Sequence, residues 1–132
     1  MEYDGEYLNG ERSGKGKEYY SNGKLEYEGE YLNGKKTGKV KEYYDNGILK
    51  FEGEFLNGKI WNGKGYNIYG NLEFEIMNGK GNIKEYKDNG QLEFEGEYLK
   101  GEKNGKGKEY NYNGTLKFEG EYLNGKRRGN EI

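Results

Sequence analysis

Residues 27–47 read YEGEYLNGKKTGKVKEYYDNG, and most of the chain consists of variants of this segment. In its first run, residues of one parity are aromatic or glycine, and residues of the other parity are glutamate. Alternation of this kind places two residue classes on opposite faces of a β-strand. A second alternating run follows Asn33-Gly34, a dipeptide typical of tight hairpins. The segment therefore predicts a β-hairpin with one aromatic face and one charged face.

An aromatic residue followed by an acidic one marks the start of each variant. These starts lie near residues 3, 27, 51, 74, 94 and 118. One hairpin buries too little apolar surface to offset a backbone entropy cost of about 1–2 kcal/mol per residue, whereas stacked hairpins share their faces. We therefore expect residues 1–132 to form a single repeat array. Its expected fold is all-β: an elongated, single-layer antiparallel meander of successive hairpins, twisted or trough-shaped.

Composition supports an ordered structure and excludes several kinds of site. The chain has 22 basic and 24 acidic residues, together with 15 Tyr, 5 Phe and 1 Trp, which is too aromatic for a disordered chain. Neither Cys nor His is present, so disulfides, thiolate metal sites and a histidine base are excluded. Carboxylate pairs recur in most units, which indicates solvated strand faces rather than an active site. We expect no enzymatic activity, no cofactor and no metal site.

Charge and hydropathy bear on partners and location. A net charge of -2 and three arginines among the basic residues disfavour nucleic acid, although aromatic residues on a sheet leave RNA or glycan binding open. The chain shows neither a signal-peptide pattern nor an apolar run of membrane-spanning length. We therefore expect a soluble chain and favour the cytoplasm.

Glycine and asparagine positions predict turns and close contacts. We expect an aromatic ring to cover Gly29 and its equivalents, because mid-strand glycine is costly unless it makes room. Asn22-Gly23 and its equivalents suit the positive φ of tight turns. When the glycines are aligned, residues 58–63 hold one residue more than the regular copies and residues 65–70 hold two fewer. Residues 76–81 lack the mid-strand Gly-Glu pair and two loop residues.

The unit resembles the MORN repeat, whose aromatic-x-Gly start, Asn-Gly-type step and Gly-x-Gly element are met by residues 3–23 and 94–114. The usual 24-residue step, Val40 in place of a glycine, and the Phe74-Glu75-Ile76 start are similar to the bacterial MORN-variant repeats, some of which are named as antitoxin components. The resemblance implies a sheet of successive hairpins that associates with proteins. It also implies lipid binding for some members.

Two groups of aromatic and apolar residues are candidates for binding. The irregular segment 59–77 contains Trp61, Tyr66, Tyr69 and Met77. The aromatic face contributes Tyr20, Tyr44, Tyr112, Tyr31 and Phe55. Trp61 and Met77 are either contact residues or plugs of a packing defect that the deletions create. The aromatic face either meets a partner or closes on itself as core.

These observations favour a non-enzymatic scaffold or adaptor that binds protein through the aromatic face and the irregular segment. A phospholipid head-group or membrane-surface binder is the alternative, and an antitoxin-like component is another. A homodimer through terminal edge strands or the open face is also expected to be feasible, because the ends of a meander expose unpaired backbone groups.

Overall fold

The computed structural model describes residues 2–128, which contain twelve β-strands and no helix. The strands are Glu2–Leu8 (β1), Glu11–Tyr19 (β2), Leu25–Leu32 (β3), Lys35–Tyr43 (β4), Leu49–Leu56 (β5), Lys59–Tyr66 (β6), Leu72–Ile76 (β7), Gly81–Tyr86 (β8), Leu92–Leu99 (β9), Glu102–Tyr110 (β10), Leu116–Leu123 (β11) and Lys126–Arg128 (β12). Within these residues, β1 to β7 form one antiparallel sheet and β8 to β12 form another, each in chain order. The expected all-β meander of hairpins is confirmed. The structure adds its division into two sheets.

The strand register aligns equivalent residues of successive hairpins. Gly16 lies opposite Gly5 on one side and Gly29 on the other, so a row of glycines crosses the sheet. On the charged face, Glu28 lies between Lys17 and Lys41. The lysine-rich strand thus lies beside the glutamate-rich strand. Exposed ion pairs in this ladder, such as Lys41 with Glu52 at 3.6 Å, contribute modestly to stability.

The aromatic face is built by rings that lie over the glycine row. A methyl group on Gly29 would lie 2.7 Å from Tyr27 Oη and 2.9 Å from Val40 Cγ1, so the glycine makes room for its neighbours. The expected covering of mid-strand glycine is confirmed. Tyr27 also meets Tyr31 edge-to-face at 5.4 Å between ring centroids, and the same contact recurs in other repeats. Each such pair adds about 0.5–1.5 kcal/mol beyond the area it buries.

Two kinds of turn connect the strands. At the hairpin tips both turn residues have positive φ, 51° for Asn33 and 77° for Gly34, as in a type I′ turn. In the return turns Gly23 has positive φ, while the Asn22 Oδ1 accepts a hydrogen bond from the Lys24 N–H at 2.9 Å. The two-residue turns therefore lie at the tips, and the asparagines of the return turns act through their side chains. Neighbouring tips are joined, for example by the Gly34 N–H that donates to the Arg12 carbonyl at 3.1 Å.

The register corrects the sequence alignment of the irregular segment. Gly63 lies opposite Gly53 and thus takes the position of Gly16 in a regular hairpin, not that of Gly14. The segment from Gly53 to Gly63 is therefore one residue shorter than the equivalent segment from Gly29 to Val40. The expectation of one additional residue before Gly63 is wrong. The return turn that starts at Asn67 keeps its regular length, since the Asn67 N–H donates to the Asn71 carbonyl at 2.9 Å as in the other return turns. The expected two-residue deletion in residues 65–70 is therefore wrong. The hairpin is shorter by one residue, and that residue is missing from the bulge of β6 opposite Glu54 and Phe55.

The core is a single layer of side chains on the aromatic face. One buried cluster spans both sheets, and a second lies within the second sheet; Tyr98 packs against both. The first contains Tyr27, Tyr31, Val40, Phe51, Ile76 and Ile83, and the second contains Phe94, Phe118 and Tyr122. The two sheets are thus held together by apolar packing on one face.

Candidate functional site

A recurring set of four side chains closes the aromatic face of the regular repeats. A basic side chain lies over the first aromatic ring, as Arg12 does over Tyr3 at 4.4 Å from the ring centroid. The same cation pairs with a glutamate, here Glu18 at 3.1 Å, and that glutamate accepts a hydrogen bond from the Tyr31 hydroxyl of the next repeat. Each charge and each hydroxyl therefore has a partner inside the array, as burial of polar groups requires.

Other repeats use the same contacts, with the glutamate paired to the cation of its own repeat or to that of the following repeat. The cations over first rings are Lys36, Lys103 and Arg127, at 4.3, 4.2 and 4.4 Å from the ring centroids. Tyr122 donates to Glu109, and Arg127 donates to the same carboxylate at 3.0 Å. The hydrogen bond from Arg127, with that from Tyr122, lowers the pKa of Glu109 to about 2. The set is a structural element that the fold repeats.

The third repeat departs from this set. Ile60 lies opposite Phe55, the register position where Arg12 lies opposite Tyr7 and Lys36 opposite Tyr31. Phe55 in turn stands where Tyr31 and Tyr122 carry their hydroxyl groups, so its ring has no donor for Glu42. Glu42 pairs with Lys36 at 3.0 Å through Oε2. The side of Glu42 that faces the third repeat therefore meets two apolar side chains where other repeats supply a cation and a hydroxyl.

The strand ladder is interrupted directly after this repeat. Among residues 2–128, the Met77–Lys80 bridge is the one backbone pairing between the β7 and β8 hairpin arms. Side chains join the arms instead, since Glu73 accepts a hydrogen bond from the Tyr86 hydroxyl at 2.6 Å and lies 3.8 Å from Lys84 Nζ. The hydrogen bond from Tyr86 lowers the pKa of the Glu73 carboxyl. We call this region, residues 72–86, the junction.

Two isoleucines fill the junction. Ile76 and Ile83 stand at the register positions of the glycine row and are 4% and 2% exposed. A glycine row leaves room for rings from neighbouring residues, whereas two branched side chains occupy that space themselves. The deletion of loop residues is therefore compensated by Ile76 and Ile83. Apolar residues at two positions that are glycine in most repeats would have indicated this packing from the sequence.

A cleft of about 410 Å³ opens on the aromatic face at the junction. Its wall includes rings from both sheets, among them Tyr44, Phe51, Phe55, Phe74, Tyr86 and Tyr98, and the side chains of Ile60 and Ile83. Carboxylates and ammonium groups also line it, from Glu42, Glu85, Glu93, Lys50, Lys59 and Lys84. We call this cavity the junction cleft. Polar and apolar surface thus contribute almost equally to the cleft, which combines aromatic contact area with charged groups.

The return turns of the two sheets meet beside the junction cleft. The Asp45 N–H donates to the Asp88 carbonyl at 3.0 Å, and Lys50 Nζ lies 3.6 Å from the Asp88 carboxylate. Tyr44 and Tyr86 meet edge-to-face at 6.4 Å. Burial, followed by the charges of Asp88 and Glu18, raises the pKa of Glu26. These contacts curve the array and bring the two sheets to the same cleft.

The structure brings some of the predicted binding residues together and separates others. Tyr44, Phe55 and Tyr66 line the junction cleft. Tyr31 and Tyr44 are 4% and 0% exposed, so both belong to the core, with the Tyr44 hydroxyl donating to the Tyr66 carbonyl at 2.6 Å. Tyr20 is half-buried and donates to the Tyr43 carbonyl at 2.5 Å. Tyr31 and Tyr44 therefore follow the alternative in which the aromatic face closes on itself as core.

The remaining predicted residues lie outside the cleft. Trp61 is the extra residue of the bulge between Ile60 and Asn62 and is half-buried, while Met77 is 72% exposed at a hairpin tip. Met77 is therefore not a packing plug, because the two isoleucines of the junction have that role. Tyr69 and Tyr112 are 85% and 79% exposed in return turns. Tyr112 follows Asn111, which holds the turn position of Tyr20, so it does not belong to the row of Tyr20 and Tyr44.

Other surfaces of the described chain are more regular. The charged face carries grooves of about 980 and 840 Å³, whose floors are the glycine rows and whose walls are the Glu and Lys ladders. The hairpin tips carry exposed apolar residues: Leu8, Leu32, Leu56, Met77, Leu99 and Leu123. Within residues 2–128 there is no cluster of three metal-ligating acidic, histidine or cysteine side chains. Those residues also contain no helix able to cross a membrane.

Comparison with known families gives two matches. The model described as MORN repeat matches residues 3–24, 94–116 and 118–130. The model described as MORN repeat variant matches residues 36–61 and 80–100. No curated protein matches the chain. The unmatched residues 62–79 include the shortened hairpin and the first strand of the junction.

Proposed function

Because the chain belongs to the MORN-repeat family, whose repeats are commonly non-enzymatic modules, we propose that it is a scaffold or adaptor that binds a protein partner through the aromatic face at the junction cleft and through the adjoining irregular segment 59–77. The observation that carries this proposal is the position of the cleft. It lies where the repeat pattern is broken, and Ile60, Tyr66 and Phe74 bring the irregular segment to its wall. In this proposal, residues 1–132 form a single repeat array.

The physical case for protein association rests on the balance of apolar and polar lining. Rings such as Phe55 and Tyr98 offer large contact areas of the kind that dominate binding free energies at protein interfaces. Tyr69, in the return turn that starts at Asn67, lines a separate groove between return turns and is 85% exposed, so it adds a second contact area from the irregular segment. Trp61 contributes from the bulge of β6 as a half-buried anchor.

The test compares proteins captured from the native source by the wild-type chain and by two variants of the irregular segment, Trp61→Ala and Tyr69→Ala. Tyr112→Ala is the matched control, because Tyr112 is an equally exposed return-turn tyrosine remote from that segment in sequence. We expect a protein that both the wild type and the control retain and that the two variants lose, at an unchanged melting temperature. Equal capture by all four chains refutes the use of this surface.

The hairpin tips favour a second candidate function. Their row of exposed Leu and Met side chains is accompanied by lysines that follow the tip glycines, such as Lys35 and Lys126, which suits the interface of an anionic membrane. Co-sedimentation with anionic vesicles at low and high salt tests this function. Lack of binding at low salt refutes it. The relation to bacterial variant repeats, with an antitoxin-like role, is a further proposal that rests on the 24-residue step.

A further inference from the structure

We propose that the junction cleft takes a lysine or arginine side chain of the protein partner, with its charged head at Glu42 and its aliphatic stem along the aromatic wall. The inference rests on the proposed function and specifies the chemistry of the same site. It follows from comparing the third repeat with the regular ones. In the regular repeats, the following repeat supplies a tyrosine hydroxyl to the glutamate, and at Glu85 and Glu109 it also supplies a cation. The third repeat supplies neither group to Glu42, whose cation is Lys36 of its own repeat.

The register shows what is missing at Glu42. The equivalent glutamates each have a tyrosine hydroxyl from the following repeat: Tyr31 on Glu18, Tyr98 on Glu85 and Tyr122 on Glu109. Glu109 also receives Arg127, the cation of the following repeat, at 3.0 Å. At Glu42 these two positions hold Phe55 and Ile60. Its carboxylate thus keeps Lys36 as a partner while the side toward the cleft holds no donor from the third repeat.

Among residues 2–128, the charged groups that line the cleft are paired within the array except Glu93, with Glu42 held by Lys36 at 3.0 Å and Glu85 by Lys103 at 4.0 Å. The three lysines that line it are each engaged by a carboxylate that does not line it: Lys50 by Asp88 at 3.6 Å, Lys59 by Glu102 at 3.4 Å and Lys84 by Glu73 at 3.8 Å. The lining carboxylates include Glu42, whose side chain is 24% exposed, and the exposed Glu93. Partial burial strengthens attraction to an entering cation relative to bulk water.

The wall of the cleft suits the rest of a basic side chain. Phe55 and Phe51 meet edge-to-face at 5.8 Å, and Tyr98 lies on the opposite sheet. Lys and Arg pack their methylene stems on apolar surface and place their charge over aromatic rings. The molecule uses this contact internally, as when Lys103 lies 4.2 Å from the centre of the Phe94 ring. A partner's basic side chain would reproduce this contact in the cleft.

The test uses defined peptides and NMR spectroscopy. Acetylated pentapeptides with a central lysine, arginine or norleucine in a glycine background are titrated against the wild-type chain, with the δ1 methyl signals of Ile60 and Ile83 as reporters. We expect the lysine and arginine peptides to shift both methyl signals at millimolar concentration, and binding to weaken with added salt. Norleucine has the same stem without the charge. Shifts of equal size with norleucine, or none with the basic peptides, overturn the proposal.

Two variants locate the binding. Ile60→Arg supplies the missing cation from within the chain, so it should fill the site and weaken peptide binding about tenfold or more, with the Ile83 methyl as the remaining reporter. Glu42→Gln removes the negative charge and should have a similar effect on a folded chain. Glu52→Gln is the matched control, because Glu52 is an exposed ladder carboxylate on the charged face. Undiminished binding to Ile60→Arg, or equal loss in Glu52→Gln, places the peptide elsewhere and overturns the proposal.

The same variant separates this inference from the proposed function. If the captured partner binds Ile60→Arg as well as it binds the wild type, the cationic anchor is refuted while protein association stands. If the basic peptides bind as described but no partner is captured, the cleft chemistry stands and the proposed scaffold function is refuted.

Discussion

Replacing Ile83 by alanine should lower the free energy of unfolding by about 2.5–3.5 kcal/mol. Ile83 is 2% exposed and belongs to the buried cluster that spans both sheets. The substitution removes three carbon atoms, worth about 2.4 kcal/mol of transfer free energy at about 0.8 kcal/mol each. A cavity contribution is added, but it is small here because the space left by the side chain adjoins the existing cleft.

Urea unfolding of the wild type, Ile83→Ala and Ile48→Ala measures this effect. Ile48 is 37% exposed in a return turn, so the same chemical change there should cost about 0.5 kcal/mol or less. The difference between the two variants isolates burial at the junction from the loss of an isoleucine as such. A cost for Ile83→Ala below about 1 kcal/mol, or equal to that for Ile48→Ala, would show that the isoleucines do not hold the sheets together.

Two further predictions concern the regular repeats. With its pKa held at about 2, Glu109 stabilises the fold at pH values above the carboxyl pKa of the unfolded chain, and this contribution is lost as the pH falls from about 4.5 toward 2. Between about pH 6 and pH 3, the free energy of unfolding measured in urea should therefore decrease by about 1–2 kcal/mol more for the wild type than for Glu109→Gln. Equal decreases would contradict the reasoning. Gly29→Ala places a methyl group 2.9 Å from the Lys39 carbonyl oxygen, so it should lower the free energy of unfolding by about 1–3 kcal/mol in a denaturation experiment. The control is Ser21→Ala in an exposed return turn, which should change this free energy by no more than about 0.5 kcal/mol.

The regular repeats were predictable because their geometry is local. Alternation of Glu and aromatic residues in 27–31 determines which face each side chain takes, and Asn33-Gly34 determines the tip turn. The covering of Gly29 by Tyr27 follows from the same strand geometry, since residues two apart lie on one face. Local patterns of this kind act within one hairpin, and repetition copies their result along the chain.

The irregular segment was predicted less accurately because its register depends on partners from other strands. Gly63 could be aligned with Gly14 or Gly16 from the sequence alone, and the pairing with Gly53 decides between them. Trp61 drew attention as the one tryptophan, although it does not line the junction cleft. The residues that form the junction, Ile76 and Ile83, are ordinary in type and unusual only in position.

The sequence by itself determined the hairpin, the two faces of each strand and the repetition that stacks them, because these depend on side-chain parity and turn chemistry. The tertiary structure alone decided where the sheet divides and what lies at the division. The short connection between Ile76 and Ile83 leaves β7 and β8 in different sheets with a single bridge between them among the described residues, and the resulting cleft depends on rings from both sheets. The apolar surroundings of Glu42 on the side of the third repeat are likewise visible only in space, since Glu42, Phe55 and Ile60 line one cleft although they are far apart in the chain.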